Sequence, residues 1–464
     1  MQLLRQLQVE ERAATTFIEY QEFSYVNPNI PMGIPFYFAS LIRNHAGITR
    51  ISRDLQVDVL GIDFNCLIHR YLHVTDPIKS VLDALDHILK HVCRAKKVII
   101  ALDGLVPYGK IVQQRYRRFR IKESEAFDKN QISPDTPYMR ALEQEIRKRF
   151  PDVQLSPTQE PGEGEHKIFQ EIKKIPEADR KSICIYGLDA DLILLSLFNH
   201  KLSTELTLLR ESGEFNDPSL KQAEFSLLDI QKLILTLPMD IEQYLTLSVL
   251  CFGNDFMPSL GIFSLREDGY GRALEYYTKS GKPDLTTEEG RATFLDYAAD
   301  KEIGVLKERI KLRKQPFERA IVGRAADCVV QKYGLHILDG VSNMEPVVDA
   351  FWKTFHWTIY YFKTNEVLDW SWVYPYPEAP LIQSIVELYE TDIQASPLNY
   401  KVTNQLQIIL PSKALHVAKR RSLYVDEFYE ETRETWMKRY DWEMKPRISI
   451  PWHPSSALTS VSPL

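Results

Sequence analysis

The sequence predicts an α/β fold, with a mostly parallel, twisted central sheet flanked by helices and a second helical, aromatic-rich region packed against it. Three observations predict it. Apolar runs of strand length alternate with helical patterns through residues 57–210, the rhythm of a sheet built from strand–helix–strand units. Three of those runs end in acids, at Asp63, at Asp103 and at the pair Asp189 and Asp191. A later block, 351–380, is crowded with aromatics, among them Trp352, Phe355, Trp357, Tyr361, Trp370, Trp372 and Tyr376.

The elements follow in order. Strands are predicted at 57–63, 97–102, 153–155, 182–186 and 205–210. Helices are predicted between and after them, at 77–94, 109–127, 136–150, 164–174 and 190–198. Beyond residue 226 the period becomes helical, at 227–236, 241–252, 272–280 and 286–313. Five segments are expected: an N-terminal extension over 1–31, a first region over 32–280, a helical connector over 281–344, a second region over 345–455 and a tail over 456–464.

Composition narrows the classes. At 44% hydrophobic and 26% charged the chain reads as globular, and its 464 residues suffice for a large core. No apolar run reaches the length of a membrane span. Glu10 and Glu11 interrupt a start that would otherwise be tested as a secretory leader. Five cysteines with no Cys-x-x-Cys pair argue against a disulfide framework and a thiolate zinc site, and for a reducing compartment. The net charge of −6 means that a nucleic-acid partner needs a local positive patch.

In a parallel sheet the carboxyl ends of the strands form the ligand edge. Asp63, Asp103, Asp189 and Asp191 fall there. Glu163 and Glu165 open a helix in Pro161-Gly162-Glu163-Gly164-Glu165-His166-Lys167. Asp255 follows an apolar helix in Gly253-Asn254-Asp255-Phe256-Met257-Pro258. Any one of these acids also suits a helix cap or a turn. Seven gathered in one pocket repel one another unless positive charge intervenes, and two divalent cations would make the set a phosphoryl-transfer site.

Residues 110–122 carry six basic side chains and no acid. At 3.6 residues per turn Lys110, Gln114, Arg117 and Arg118 share one face, within an arc of roughly 100°. Guanidinium forks on that face could grip a phosphate. Arg115, Arg120 and Lys122 point elsewhere, toward a more general backbone contact.

These stretches resemble the 5′→3′ exoribonucleases that digest 5′-monophosphorylated RNA. The likeness is carried by Met32-Gly33-Ile34-Pro35, by Gly61-Ile62-Asp63-Phe64-Asn65 through His69, and by Ala101-Leu102-Asp103-Gly104. It continues in Gln113 through Arg120, Pro161 through Lys167, Gly187-Leu188-Asp189-Ala190-Asp191, Gly253 through Pro258 and Trp370-Ser371-Trp372. Asp441-Trp442-Glu443 and Ile450-Pro451 extend it.

The resemblance implies a first region similar to flap-endonuclease and PIN-type sheets. It implies Mg2+ or Mn2+, two ions, held by Asp63, Asp103, Glu163, Glu165, Asp189, Asp191 and Asp255. It also implies a 5′-phosphate pocket on Lys110, Gln114, Arg117 and Arg118, and a base-stacking clamp between His69 and either Trp370 or Trp372. The family's Tyr-Pro-Tyr-His reads Tyr374-Pro375-Tyr376-Pro377 here, and 31 residues precede Met32.

The expected activity is processive, metal-dependent 5′→3′ hydrolysis of single-stranded 5′-monophosphorylated RNA to nucleoside 5′-monophosphates. Two alternatives stand beside it: a structure-specific DNA flap nuclease, and a non-catalytic RNA-binding or assembly protein. Decapping or other RNA-processing proteins are the expected partners. The expected setting is a monomer without membrane contact, inside the cell, in the cytoplasm rather than the nucleus.

Overall fold

The computed structural model describes residues 34–410 apart from Pro35, Arg53, His73, 120–126, 212–223, 312–328, Ile337 and Asp339. The expected N-terminal extension, Arg120, Lys122, Cys328 and the motifs from Asp441 onward lie outside the described residues.

Seven strands form one sheet in the order β1-β7-β6-β5-β2-β3-β4. They are β1 Thr49–Ile51, β2 Leu55–Asp63, β3 Cys93–Ala101, β4 Gln154–Ser156, β5 Ser182–Tyr186, β6 Glu205–Glu211 and β7 Phe225–Asp229. The five strands β6, β5, β2, β3 and β4 pair in parallel. β7 runs antiparallel to both β6 and β1. The mostly parallel sheet predicted from the sequence is present.

Apolar neighbours along a strand face opposite sides, so the sheet buries both faces. Ile99, Ile183, Ile185, Leu206 and Leu208 enter one core, while Ile100, Leu60, Ile62, Cys184 and Leu209 enter the other. Each such Ile or Leu, fully buried, is worth about 1.5–3 kcal/mol. The second core is closed by α2 Phe64–Arg70, α3 Pro77–His87 and α5 Pro137–Arg149. α1 Tyr37–Asn44, α6 Gly164–Lys173, α7 Asp191–Phe198, α8 Ile230–Thr236 and α9 Ile241–Phe252 close the first.

The first core then extends into the C-terminal half. α10 Gly269–Lys279, α11 Glu288–Lys311, α12 Val329–His336, α13 Glu345–Thr364 and α14 Ile382–Val386 all contribute to it. The aromatic block begins as the helix α13, whose Phe351, Trp357, Tyr361 and Phe362 are buried in that core. A smaller core joins α4 Tyr108–Phe119 to α15 Val402–Ile409. The aromatic-rich region therefore packs on the sheet domain as expected.

Some boundaries differ from the sequence reading. The run 227–236, read as helix, begins as strand. Phe225 to Asp229 pair with β6, and Asp229 then accepts the Lys232 backbone N–H at 3.0 Å to start α8. The helix expected over 77–94 ends at His87 and passes through a wide turn, Ile88–Val92. At Cys93 the ladder to Leu55 takes over. The basic helix is described over Tyr108–Phe119; residues 120–126 of its expected span lie outside the described residues. The short strand β1 had no sequence signal, because three residues set no period.

Among the described residues no single helix is long and apolar enough to cross a membrane. The four described cysteines, Cys66, Cys93, Cys184 and Cys251, are free and buried.

Candidate active site

Sheet register places the acids. Asp63 ends β2 opposite Ala101 of β3, so Asp103 follows two residues beyond the same level. Ile62 lies opposite Tyr186 of β5, and Asp189 stands three residues further on. β4 pairs with the end of β3 and leads into the turn before α6, which carries Glu163 and Glu165. The Gly164 N–H donates to Asp103 Oδ1 at 2.8 Å. A Cβ at Gly164 would stand 3.1 Å from Asp63 Oδ1, so glycine permits this approach.

Asp255 arrives from α9. The helix stops at Gly253, whose φ of 70° suits glycine and where a Cβ would meet Ser259 N at 2.4 Å. Asn254 Oδ1 then accepts the N–H groups of Phe256 and Met257 at 2.8 and 3.2 Å, which shapes the turn around Asp255.

The seven acids come together, and their mutual repulsion registers it. Burial, then Asp103 and Asp189, push Asp63 up to about 7. Glu165 is raised by burial and by Glu163, Asp63 and Asp103. Asp191 is raised by burial, Asp189, Asp255 and Glu163. Burial and Asp255 raise Asp189. Burial also raises Glu163, although Lys110 opposes it. Asp255 alone goes down: burial opposes ionisation there, but Lys110 and Arg117 outweigh it.

The cluster supplies part of its own counter-charge. Lys110 is buried, with Nζ 2.5 Å from both Glu163 Oε2 and Asp255 Oδ2. It is turned into the acids, not outward with the phosphate face predicted for it, because two carboxylates compensate its desolvation better than solvent-side neighbours would.

The rest of that helix face divides. Arg117 reaches 3.7 Å from Asp255 Oδ2, while its Nε and Nη2 are buried and make no hydrogen bond. Gln114 Oε1 accepts from Gln405 Nε2 at 3.2 Å. Arg118 donates to the carbonyls of Lys129 and Ile132, so its fork is engaged in holding a neighbouring loop. Arg115, expected to point toward a general backbone contact, is buried and donates to the Ile408 carbonyl of α15 at 2.5 Å.

His69 sits exposed on α2. Crowding by the surrounding chain, then the charges of Arg118, Lys129 and Arg117, pull its ring down to about 4. It stands beside the basic helix. Trp370 packs edge-on to Tyr400 at 6.3 Å. Trp372 is tied to α13, its indole N–H donating to Thr354 Oγ1 at 3.0 Å.

Several residues the sequence reading passed over hold this edge together. Lys167 Nζ donates to the carbonyls of Leu102 and Pro157, both at 2.7 Å, and so pins the turns bearing Asp103 and Glu163. Burial brings this lysine down to about 8. Arg210 of β6 donates to the carbonyls of Leu188 and Asp189 behind the Asp189 turn. Gln113 Nε2 donates to Asp255 Oδ1. Tyr361 O–H donates to Glu163 Oε1 at 3.0 Å. Lys167 and Gln113 lay inside motifs of the sequence and Tyr361 inside its aromatic block; Arg210 carries no local signal.

The donor set suits a hard divalent cation. Every predicted ligand is a carboxylate oxygen, and Asp63 Oδ1 and Asp191 Oδ1 are buried without a hydrogen-bond partner. Among the described residues no three His, Cys, Asp or Glu side chains are closed into a metal-holding group as they stand.

An acid-crowded sheet edge beside a basic helix defines the class: an α/β protein with carboxylates gathered at the carboxyl end of a parallel sheet. The comparisons with known proteins then narrow it. Residues 32–126 and 120–212 match the family model described as the XRN 5′-3′ exonuclease N-terminus. The chain is 26% identical over 318 residues to 5′-3′ exoribonuclease 1 of Saccharomyces cerevisiae, a match covering 54% of this chain and 21% of that one. It is 28% identical over 311 residues to the human 5′-3′ exoribonuclease 1, covering 51% and 18%. With 5′-3′ exoribonuclease 2 of Schizosaccharomyces pombe it shares 27% over 363 residues, covering 54% and 36%.

The match thus spans about a fifth to a third of the length of these relatives. A solved structure of the catalytic core of Rad2 with DNA aligns at a TM-score of 0.38 and 16% identity, over 67% of this chain and 88% of that one. The N-terminal region of the chain is thus similar to that of the 5′-3′ exoribonucleases.

Proposed function

We propose that the protein is a divalent-metal-dependent 5′→3′ exoribonuclease acting on single-stranded RNA with a 5′-monophosphate. The observation that carries this reading is the convergence of seven acids from distant segments beside Arg117, whose Nε and Nη2 make no hydrogen bond, in a chain whose N-terminal region matches the exoribonuclease family model.

Asp63, Asp103, Glu163, Glu165, Asp189, Asp191 and Asp255 would hold Mg2+ or Mn2+, two ions in full occupancy. When bound, the cations supply positive charge and Lewis acidity at the scissile phosphate. The chain's own residues do the rest. Arg117 offers Nε and Nη2 to the terminal phosphate. Gln114 and Arg118 border that position. Lys110 neutralises Glu163 and Asp255 and keeps the acid edge compact. His69 and one of Trp370 and Trp372 stack on the leading bases, at about 1–3 kcal/mol per base.

Stacking reads no sequence, and each release of a nucleoside 5′-monophosphate leaves a new 5′-phosphate, so the cycle can repeat on one strand.

The test is release of mononucleotides from single-stranded RNA carrying a 5′-monophosphate, 5′-triphosphate or 5′-hydroxyl, with Mg2+ or EDTA. The expected outcome is Mg2+-dependent release from the monophosphate strand, and a fall of at least about a thousandfold in Asp189→Asn/Asp191→Asn. Equal rates on all three ends would remove the phosphate pocket. Cleavage of a DNA flap in preference to the RNA would favour the flap-nuclease reading.

A further inference from the structure

The second region reaches into the acid cluster at one point. Glu163 has its two carboxylate oxygens occupied from opposite sides: Oε1 accepts from Tyr361 of α13 at 3.0 Å, and Oε2 from Lys110 of α4 at 2.5 Å. Tyr361 is 1% exposed. Its ring lies flat on His166 of α6, with centroids 3.7 Å apart and planes 10° from parallel. On its other side Tyr361 meets Phe256 edge-on at 5.7 Å, and Phe256 follows Asp255 directly.

One side chain of α13 therefore touches the helix bearing Glu163 and Glu165 and the turn bearing Asp255. Each carboxylate oxygen has two acceptor positions, so a bond from Tyr361 leaves Glu163 able to bind a cation while fixing its rotamer. We propose that Tyr361 is a positioning residue that orients Glu163 for the metal site, with His166 as its stacking support. This rests on the reading of Glu163 as a metal ligand. Hydrogen-bond partners of ligands set their orientation, and their loss typically costs about 10–100-fold in metal affinity or activity.

Tyr361→Phe removes the O–H and keeps the ring on His166. The experiment measures Mn2+ affinity of the full chain by electron paramagnetic resonance, the Mg2+ concentration for half-maximal RNA hydrolysis, and thermal unfolding in EDTA. The expected result is a Mn2+ Kd raised about tenfold or more, a parallel shift in Mg2+ requirement with the rate recovered at saturating Mg2+, and little change in melting. His166→Ala should move the Mn2+ Kd in the same direction by less.

A double-mutant cycle separates positioning from general packing: Tyr361→Phe should add nothing in a Glu163→Gln background. Additive losses there, or a rate loss uniform at all Mg2+ concentrations, would overturn the assignment. So would an unchanged Mn2+ Kd in a variant of a wild-type chain that binds Mn2+. A wild-type chain that takes up no Mn2+ overturns the site reading itself, and the assignment with it.

Discussion

Arg117 and Arg118 are neighbours in sequence with opposite situations. Arg118 spends its fork on two carbonyls of the 129–132 turn, so its removal mainly loosens that turn. Arg117 has an ion pair to Asp255 Oδ2 at 3.7 Å, but its Nε and Nη2 make no hydrogen bond, which leaves them able to take a ligand oxygen. Arg117→Ala should therefore lower kcat/KM on 5′-monophosphate RNA about 10–100-fold, the range expected for a lost hydrogen bond to a charged group. It should leave 5′-hydroxyl RNA nearly unchanged. Arg118→Ala should reduce melting temperature more than end selectivity. Rate measurements on the two RNAs for each variant check both. Cys66 is a quieter case: its thiol donates to Asp63 Oδ2 at 2.8 Å, giving that acid one neutral partner among charged ones.

At the scale of elements, caps and corners decide where the site's supports begin. α14 starts over a buried glutamate of α11: Glu302 Oε1 accepts the Ile382 N–H at 2.9 Å and Oε2 the Gln383 N–H at 3.3 Å. Burial raises Glu302 to about 7 against those two bonds. The folded chain thus prefers the protonated acid. Its contribution to stability is fully present below the unfolded value near 4.5 and is lost as pH rises through about 7. The full swing is on the order of 3 kcal/mol. Glu302→Gln should flatten the decline in stability between pH 5 and 7, as followed by urea unfolding at several pH values. A slope identical to wild type would show that Glu302 titrates as it does in the unfolded chain.

Across the whole molecule, the sheet domain and the aromatic-rich half share one core, and the site lies where they meet. Gathering seven acids there opposes folding, and bound cations would offset it. Mg2+ that binds only the folded chain stabilises it by about 2.7 kcal/mol at a hundredfold excess over its Kd. For a chain of this size that is a rise of about 3 °C in melting temperature. Circular dichroism with Mg2+ against EDTA at pH 8 should show this rise, and Asp189→Asn/Asp191→Asn should lose it while melting higher than wild type in EDTA. An equal melting temperature with and without Mg2+ in the wild type would refute the linkage.

Much of this was legible from residue order because its cause is local. Alternation of apolar runs and helical periods announced the five parallel strands, and an acid just past each strand end falls at the carboxyl edge once the strands are parallel. Six basic residues in a helical stretch announced a positive element.

The direction each of those basic side chains takes was settled only by tertiary structure. Lys110 turned inward because Glu163 and Asp255 were there to receive it, and Arg115 because the α15 carbonyl of Ile408 was. The bond from Tyr361 to Glu163 joins residues 198 apart. No period or spacing encodes such a pair; packing α13 against the sheet domain creates it.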